Sequence, residues 1–525
     1  MIEIADKQDC CGCGACEQIC PKKCIKLKED NEGFLYPETN AAECVSCNMC
    51  ESACPIIQKS GSDMINESER GRAQSTAYGG WHKNDGVRFD SSSGAAFTLV
   101  AEYIINEGGI VYGCMLNDNM EAVHAGIESM DELYRLRGSK YVQSKINTTY
   151  QEIKLQLQTG RKVLFVGTPC QAAGLHSFLG QSTYENLYII DFICHGVPSP
   201  KLFRAYINEL ERKYAKKVVA YKFRNKDNGW NQTGTQLGSG SRIDFYDEAH
   251  IRKYPAFLDH YMNAFLDDVC LRPSCYACNF KDITKDYADF TIADFWGVNK
   301  VSKNLNDGKG TSLVLVHNDH AMELWNKVSD NFYCEQVDIK HAVRRNQSLI
   351  KSARMNPNRK KFYEELNAKG FRYVERRYMS AFTWGFHTMW KIFGQFIKFA
   401  IVGCSNIAIN LAVYYLCLFL GINYLIAYTL GFLVSVCNAF FWNYKYVFVN
   451  KQETSIIKAF VKVVASYGFS FLLSLVLMTL LVEIFHISSF IAPVLKMIVT
   501  IPLNFVMNKI WAFKDRKNKY PEEEV

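Results

Sequence analysis

The sequence predicts a multidomain fold class, with a small α+β domain, an α/β domain and an all-α membrane domain of four helices. Three observations predict it. Two cysteine runs of the same spacing lie within the first 60 residues, and two continuous apolar strands in the middle of the chain each lead to a cysteine. A stretch of 46 residues between Lys398 and Lys445 holds no Asp, Glu, Lys, Arg or His. The expected boundaries are 1–59 for the first domain, 60–75 for a polar linker, and 76–370 for the α/β domain. A basic juxtamembrane segment follows at 371–395, then the membrane domain at 396–516 and a polar tail at 517–525.

The composition excludes several classes. Apolar residues make up 48% of the chain and charged residues 22%, so wholesale disorder is out. Twelve prolines and 33 glycines exclude a collagen-like or low-complexity chain. Residues 1–10 carry three acidic side chains and no apolar core, so no secretory signal is expected there. Twenty cysteines in a reducing compartment then point to metal or redox work rather than to a disulfide scaffold.

The first domain carries the most specific pattern. Cys10, Cys13, Cys16 and Cys20-Pro21 fit C-x2-C-x2-C-x3-C-P, and Cys44, Cys47, Cys50 and Cys54-Pro55 fit it again. In such a pair three close thiolates hold one 4Fe-4S cluster, and the fourth cysteine of each run crosses to the other cluster. The reading is therefore Cys10, Cys13, Cys16 and Cys54 for one cluster, with Cys44, Cys47, Cys50 and Cys20 for the second. A zinc ribbon would show paired C-x2-C motifs instead. Cys11 and Cys24 stand outside the pattern and read as spare thiols.

In the α/β region, Ser91-Ser92-Ser93-Gly94 precedes an apolar helical run from Ala95. Hydroxyls and glycine there predict an N-cap and an anion-binding helix start, or a cap alone. Leu136-Arg137-Gly138-Ser139-Lys140-Tyr141 reads as a phosphate or flavin contact, or as a surface turn. The strand beginning at Lys162 ends in Thr168-Pro169-Cys170-Gln171, and the strand beginning at Leu187 ends in Cys194-His195-Gly196. Continuous apolar strands predict a parallel sheet covered on both faces, with ligands beyond its carboxyl ends. Cys275 and Cys278 add a C-x2-C pair, so Cys170, Cys194, Cys275 and Cys278 form either a third four-thiolate set or a group of free buried cysteines.

The run at 399–444 is long enough for two spans of about 20 residues each, turning at Gly421-Ile422-Asn423. Two more spans are expected near 458–485 and 490–513. Phe396-Ile397-Lys398 recurs as Phe460-Val461-Lys462, and Asn443 through Phe448 recurs as Asn508 through Phe513, which predicts two tandem two-helix units. Asn406, Asn410, Asn438 and Asn504 lie deeper and read as helix-bridging amides, or as a polar path. Lys496 reads as a snorkelling side chain, or as a contact for an anionic head group. From Phe371 onward there are 15 basic and 7 acidic residues, a net of +8, while residues 1–370 carry −1. The soluble part thus has no electrostatic footprint for nucleic acid. Basic residues flank the expected spans at Arg372, Arg376, Arg377 and Lys391, and again at Lys445, Lys451 and Lys458. They are missing from the turns near Asn423 and His486, which predicts a multi-pass plasma- or inner-membrane protein with both termini cytoplasmic.

Two resemblances sharpen this reading. Residues 76–345, with Ser93-Gly94, Gly138 to Tyr141, Gly167 to Gln171, Cys194 to Ser199 and Ser274 to Cys278, resemble the family of coenzyme F420 hydrogenase/dehydrogenase beta subunits. That resemblance implies an α/β flavin-binding catalytic domain behind a ferredoxin-like domain, with FAD and a further 4Fe-4S cluster near the flavin. Coenzyme F420 is a further candidate cofactor. The sequence departs from the family at Gly94-Ala95-Ala96, where a second glycine is expected. Residues 396–516 resemble the GtrA-like family, which implies cell-surface polysaccharide synthesis and a polyprenyl-phosphate-linked sugar as partner.

Together these readings predict a membrane-tethered oxidoreductase fed by a ferredoxin-like redox partner. Ser93, Gly94, Gly138, Ser139, Lys140, Tyr141, Thr168 and Gln171 are the expected flavin contacts. Lys140 is expected to face negative charge on reduced flavin and His195 to move a proton, against a Lys–carboxylate pair and a strand-end hydrogen bond as structural alternatives. The other reading is a lipid-linked sugar translocation protein with an accessory redox domain.

Overall fold

The computed structural model describes residues 2–4, 6–62, 75–180, 184–227, 229–230, 240–246, 251–254, 258–283, 285, 287–447, 456–487, 495, 499, 503–505, 507 and 508. Residues 63–74 of the expected linker, Lys496, most of the fourth expected span and the tail lie outside them. The chain divides into two compact units, Met1–Trp384 and Gly385–Val525.

The first unit opens with an antiparallel pair, β1 (Ile25–Glu29) and β2 (Leu35–Thr39), between short helices at Ala15–Ile19 and Met49–Ser52. The strands that follow are β3 (Thr76–His82), β4 (Ile110–Leu116), β5 (Ala122–Ile127), β6 (Val163–Gly167) and β7 (Leu187–Phe192). Then come β8 (Val218–Asn225), β9 (Gly240–Phe245), β10 (Ile251–Tyr254), β11 (Phe290–Asp294), β12 (Ser312–Val316) and β13 (Phe332–Val337). Eight of them form one sheet in the order β13-β3-β12-β11-β7-β6-β4-β5, while β10-β9-β8 make a separate antiparallel sheet. The expected parallel core is present in β4, β6, β7 and β11, with Val163 opposite Leu187 and Phe290 opposite Ile190. Antiparallel strands extend it on both sides, so the sheet is mixed.

The continuous apolar runs follow from cover on both faces. Successive strand side chains point to opposite sides. Leu164 and Ile190 accordingly pack with the helix Ala96–Asn106, whereas Val163, Phe165 and Ile189 pack with the helices Thr149–Gln158 and Pro169–Leu179.

The serine-rich turn corrects one expectation. No serine caps the helix Ala96–Asn106: its N-cap is Ala95, with no side-chain cap bond. The hydroxyls are spent elsewhere, because Ser91 Oγ donates to Val87 O, Ser93 Oγ donates to Thr311 O, and Ser92 Oγ meets Ser139 Oγ at 3.1 Å. Gly94 lies flat against the sheet, where a Cβ would stand 2.2 Å from Gly80 O and 2.6 Å from Ser312 N. Ala95 takes φ +69°, the left-handed conformation that a second glycine would adopt without strain.

The N-terminal segment folds onto the α/β core. Gln18 Oε1 accepts from Tyr150 N at 2.9 Å, Arg204 pairs with Glu29, and Arg359 forks onto Glu32 at 3.1 and 2.5 Å. Gly174 admits Cys13 to the face of the helix Pro169–Leu179, since a Cβ there would lie 2.8 Å from Cys13 Cβ.

The second unit contains the helices Tyr424–Trp442 and Ile456–Thr479, and most of the long helix Ala381–Phe419. Among the described residues Phe396–Phe419 is the stretch long and apolar enough to cross a membrane. Asn438 Nδ2 donates to Asn406 Oδ1 at 2.6 Å and to Ser405 Oγ at 3.1 Å, and Ser470 Oγ donates to Asn504 Oδ1 at 2.5 Å. These amides bridge helices. Two of the basic residues expected beside the first span are neutralised within the first unit, Arg372 by Glu209 at 3.1 Å and Arg377 by Glu365 at 3.6 Å.

Two outcomes are expected. Ala95→Gly relieves the left-handed strain and raises stability by about 1 kcal/mol, whereas Gly94→Ala drives a methyl into the sheet and destabilises; thermal melts of both variants check the opposite signs. Burial, with the Lys285 cation adding to it, holds His317 down at about 3. The unfolded chain takes up that proton below about pH 6.5 and the folded chain does not, so stability falls as pH drops from there. In His317→Gln the slope of stability against pH between about 6.5 and 4 loses one proton, about 1.4 kcal/mol per pH unit, as denaturant titrations at several pH values will report.

Candidate functional site

The fold places the twelve cysteines expected as ligands in three neighbourhoods. Burial holds the Cys16 thiol up, and the neighbouring Cys10 and Cys54 add to it; Cys13 is likewise close to Cys16 and Cys54. The second set, Cys20, Cys44, Cys47 and Cys50, lines a depression of about 350 Å³, open solvent included. The third set, Cys170, Cys194, Cys275 and Cys278, lines another of about 640 Å³ beyond the carboxyl ends of β6 and β7. The β-strands explain the third placement. Parallel neighbours end on the same edge, so Cys170 and Cys194 arrive together although 24 residues separate them.

The two thiols outside the pattern lie inside these groups. Cys24 Sγ sits 3.4 Å from Cys20 Sγ and lines the second depression. Cys11 lies beside Cys13 and Cys170 and lines the third. Cys11 therefore stands between the first set and the third. Spacing held no signal for either.

Among the described residues no three His, Cys, Asp or Glu side chains converge as ligands of one metal ion. A four-iron cluster asks for something else. Each thiolate binds its own iron, so the thiols surround a volume instead of meeting at a point. The second and third sets do surround such a volume, and the donor chemistry of all three fits. Burial holds the Cys16, Cys54, Cys194 and Cys275 thiols up, and a cationic metal core is what would hold them as thiolates.

Arg272 is one residue that sequence reading missed. It is fully buried, and its Nε donates to Cys10 O at 2.8 Å while Nη2 donates to Leu35 O at 2.9 Å. Nη2 also reaches Cys10 Sγ at 3.5 Å, Nη1 donates to Gln143 Oε1 at 3.2 Å, and the guanidinium lies 4.1 Å over the Tyr36 ring. Its own carbonyl accepts from Cys275 N at 2.9 Å. One side chain thus touches the first thiol set while its backbone holds the third. The available signal was its place three residues ahead of Cys275.

The expected flavin motifs converge in part. Ser139 N donates to Ser92 Oγ at 2.9 Å, which joins the two turns. Gly138 has φ +82°, and Tyr141 stacks on Phe265 at 4.5 Å. Thr168 Oγ1 lies 3.1 Å from Cys170 Sγ, and buried Gln171 donates to Ser144 Oγ at 2.9 Å while capping its own helix. Lys140 is committed elsewhere: Nζ donates to the carbonyls of Arg135, Leu136 and Arg137 at 3.1, 2.9 and 2.9 Å. Those bonds use all three of its donors. Burial pushes it down to about 8.

His195 lines the third depression, with Nε2 2.5 Å from Asp268 Oδ1 and Nδ1 3.4 Å from Ser348 Oγ. Asp268 was also missed. The Tyr276 hydroxyl donates to its carbonyl, and it takes φ +58°. Lys281 Nζ donates to the carbonyls of Cys194 and Ser348, which secures the loop that carries the thiol and the imidazole.

Residues 160–342 match the family described as coenzyme F420 hydrogenase/dehydrogenase, C terminus of the beta subunit, and residues 398–513 match the GtrA/DPMS transmembrane domain. The F subunit of the F(420)H(2) dehydrogenase of Methanosarcina mazei is 24% identical over 204 residues, covering 37% of this chain and 55% of that protein. The chain thus spans about half the length of that relative. The cell wall teichoic acid glycosylation protein GtcA of Listeria monocytogenes is 34% identical over 125 residues, covering 23% of this chain and 86% of that protein. A chain in the xenon-derivatised F420-reducing [NiFe] hydrogenase complex of Methanosarcina barkeri aligns over 57% of this chain and 90% of its own, with TM-score 0.34 and 14% identity.

Replacing Arg272 with Gln leaves three acceptors in the interior without their donor, at a cost on the order of 3 kcal/mol. Denaturant unfolding of the full chain checks the loss. Limited proteolysis is expected to release the segment ahead of residue 60 first.

Proposed function

The chain belongs to the family of coenzyme F420 hydrogenase/dehydrogenase beta subunits and to the GtrA family of membrane proteins, and from that premise we propose that it is a membrane-tethered iron–sulfur flavoprotein oxidoreductase. It passes electrons between a ferredoxin-like or deazaflavin partner and a substrate of cell-surface polysaccharide or polyprenyl-linked sugar metabolism. The observation that carries this reading is the adjacency of the first and third thiol sets through Cys11 and Arg272.

Cys10, Cys13, Cys16 and Cys54 would hold one cluster, Cys20, Cys44, Cys47 and Cys50 a second, and Cys170, Cys194, Cys275 and Cys278 a third. Ser93, Gly94, Gly138, Ser139, Tyr141, Thr168 and Gln171 would cradle FAD. When bound, these groups supply single-electron transfer and its coupling to hydride transfer. The chain's own residues position and protonate. Asp268 orients the His195 imidazole and favours a proton on Nε2, and Ser348 meets the other nitrogen. Lys281 holds the Cys194 loop, and Lys140 closes the turn that precedes Tyr141. The GtrA-type domain anchors the site at the bilayer as a multi-pass unit with both termini cytoplasmic, beside polyprenyl-linked sugars.

A second reading rests on the 86% coverage of GtcA: the membrane domain moves a lipid-linked sugar and the redox unit serves it. Liposomes loaded with a lipid-linked sugar separate the two, because transport that is indifferent to the redox state of the full chain favours independent modules.

Iron, sulfide and flavin counted per chain after anaerobic purification test the oxidoreductase reading. Three four-iron clusters predict roughly twelve irons and one flavin. About eight irons with no flavin would leave an electron carrier and remove the enzyme.

A further inference from the structure

Four buried polar atoms without a partner among the described residues gather at the carboxyl end of β11. They are Nε and Nη2 of Arg224, Nε1 of Trp230 and Oδ1 of Asp294. Arg224 comes from β8, and its side chain is 9% exposed. Its Nη1 donates to Asp294 Oδ2 at 2.7 Å and to the Tyr141 hydroxyl at 3.4 Å, which leaves the two other nitrogens unused. The guanidinium lies 5.5 Å from the Trp296 ring, and Trp296 stacks parallel on Trp230 at 5.4 Å. Buried Lys226 is next to it, and its Nζ donates to the carbonyls of Ser93 and Arg88.

A buried guanidinium with two idle nitrogens is costly, because each has lost its water without gaining a partner among the described residues. Nothing among the described residues repairs this site. Arg88 pairs with Asp307 and Arg224 with Asp294, and Lys226 brings a third basic side chain to the site, which burial pushes down to about 7. The planar fork of Arg presents paired donors that match phosphoryl oxygens, and the indole N–H adds a third. The idle Asp294 oxygen calls for a donor, and a hydroxyl beside the phosphoryl group supplies one. The place agrees with the chemistry: Asp294 ends β11, parallel to β7, on the same sheet edge that carries Cys170 and Cys194.

We propose that Arg224, Trp230 and Asp294 form a subsite for a phosphate or diphosphate group borne on a polyol or sugar. Two sources share that chemistry. One is the ribityl diphosphate portion of the flavin, which rests on the flavoprotein reading above. The other is a sugar phosphate substrate, which does not.

The test uses the full chain, purified anaerobically in detergent, as Arg224→Gln, Arg224→Lys and Trp230→Phe variants beside the parent. Flavin per chain is counted, and tryptophan fluorescence is titrated with UDP-glucose and with inorganic pyrophosphate. Arg224→Gln is expected to weaken flavin retention or probe binding at least tenfold, by about 1.4 kcal/mol or more. Arg224→Lys is expected to fall between Gln and the parent, and Trp230→Phe to give a smaller loss because it removes only one N–H. Flavin loss with unchanged probe binding assigns the flavin as source, and the reverse assigns a sugar phosphate. Iron per chain on the same samples reports separately on the cluster reading and on whether the variants fold. The proposal is overturned if Arg224→Gln matches the parent in flavin and in probe binding, or if the parent holds no flavin and binds neither probe.

Discussion

The buried guanidinium of Arg272 is the constraint on which the first unit depends. It fills the space between the N-terminal segment and the α/β core and is tied to both. Its donors go to Cys10 O, Leu35 O and Gln143, its face lies on Tyr36, and its carbonyl carries the Cys275 N–H. A buried cation is tolerated where its hydrogen bonds are made and polarisable partners lie on its open faces. Here those partners come from both halves of the unit. The N-terminal segment and the core therefore share one interior and do not meet as two separately finished surfaces.

Several other features follow from that join. Cys13 enters the face of the helix Pro169–Leu179 at Gly174, and Cys11 reaches Cys170. The sheet edge then does the rest. β6, β7 and β11 are parallel, so Cys170, Cys194 and Asp294 emerge on one side, and the loops behind them bring His195 against Asp268. The serines near residue 92 serve the same edge, pairing with Ser139 and Thr311 and leaving the helix start to Ala95.

Much of this was legible in the residues. Cysteine spacing is local, so the two C-x2-C-x2-C runs could be read whatever surrounds them. The apolar runs at 163–167 and 187–192 read as strands of a covered sheet. The missing second glycine of Gly94-Ala95-Ala96 was visible as a departure, and the φ of +69° at Ala95 is what it costs. Other residues carried no such mark. An arginine, a lysine and an aspartate are the commonest surface residues, so Arg272, Lys281, Asp268 and Arg224 gained meaning only where burial removed their water. Lys140 shows the converse: its motif pointed to a ligand, and the carbonyls of the turn before it took its donors.

By itself the sequence determined a multidomain chain with an α/β part and an apolar, basic-flanked C-terminal part, and it displayed two N-terminal cysteine runs, because each is a pattern written along the chain at a period set by local geometry. Only the tertiary structure decided that the N-terminal segment shares the interior of the α/β core, that Cys11 and Cys24 stand among the other thiols, and that Arg224 has donors to spare among the described residues. Those are questions of which distant groups exclude water from one another. Burial is a property of the assembled volume, and no spacing along the chain encodes it.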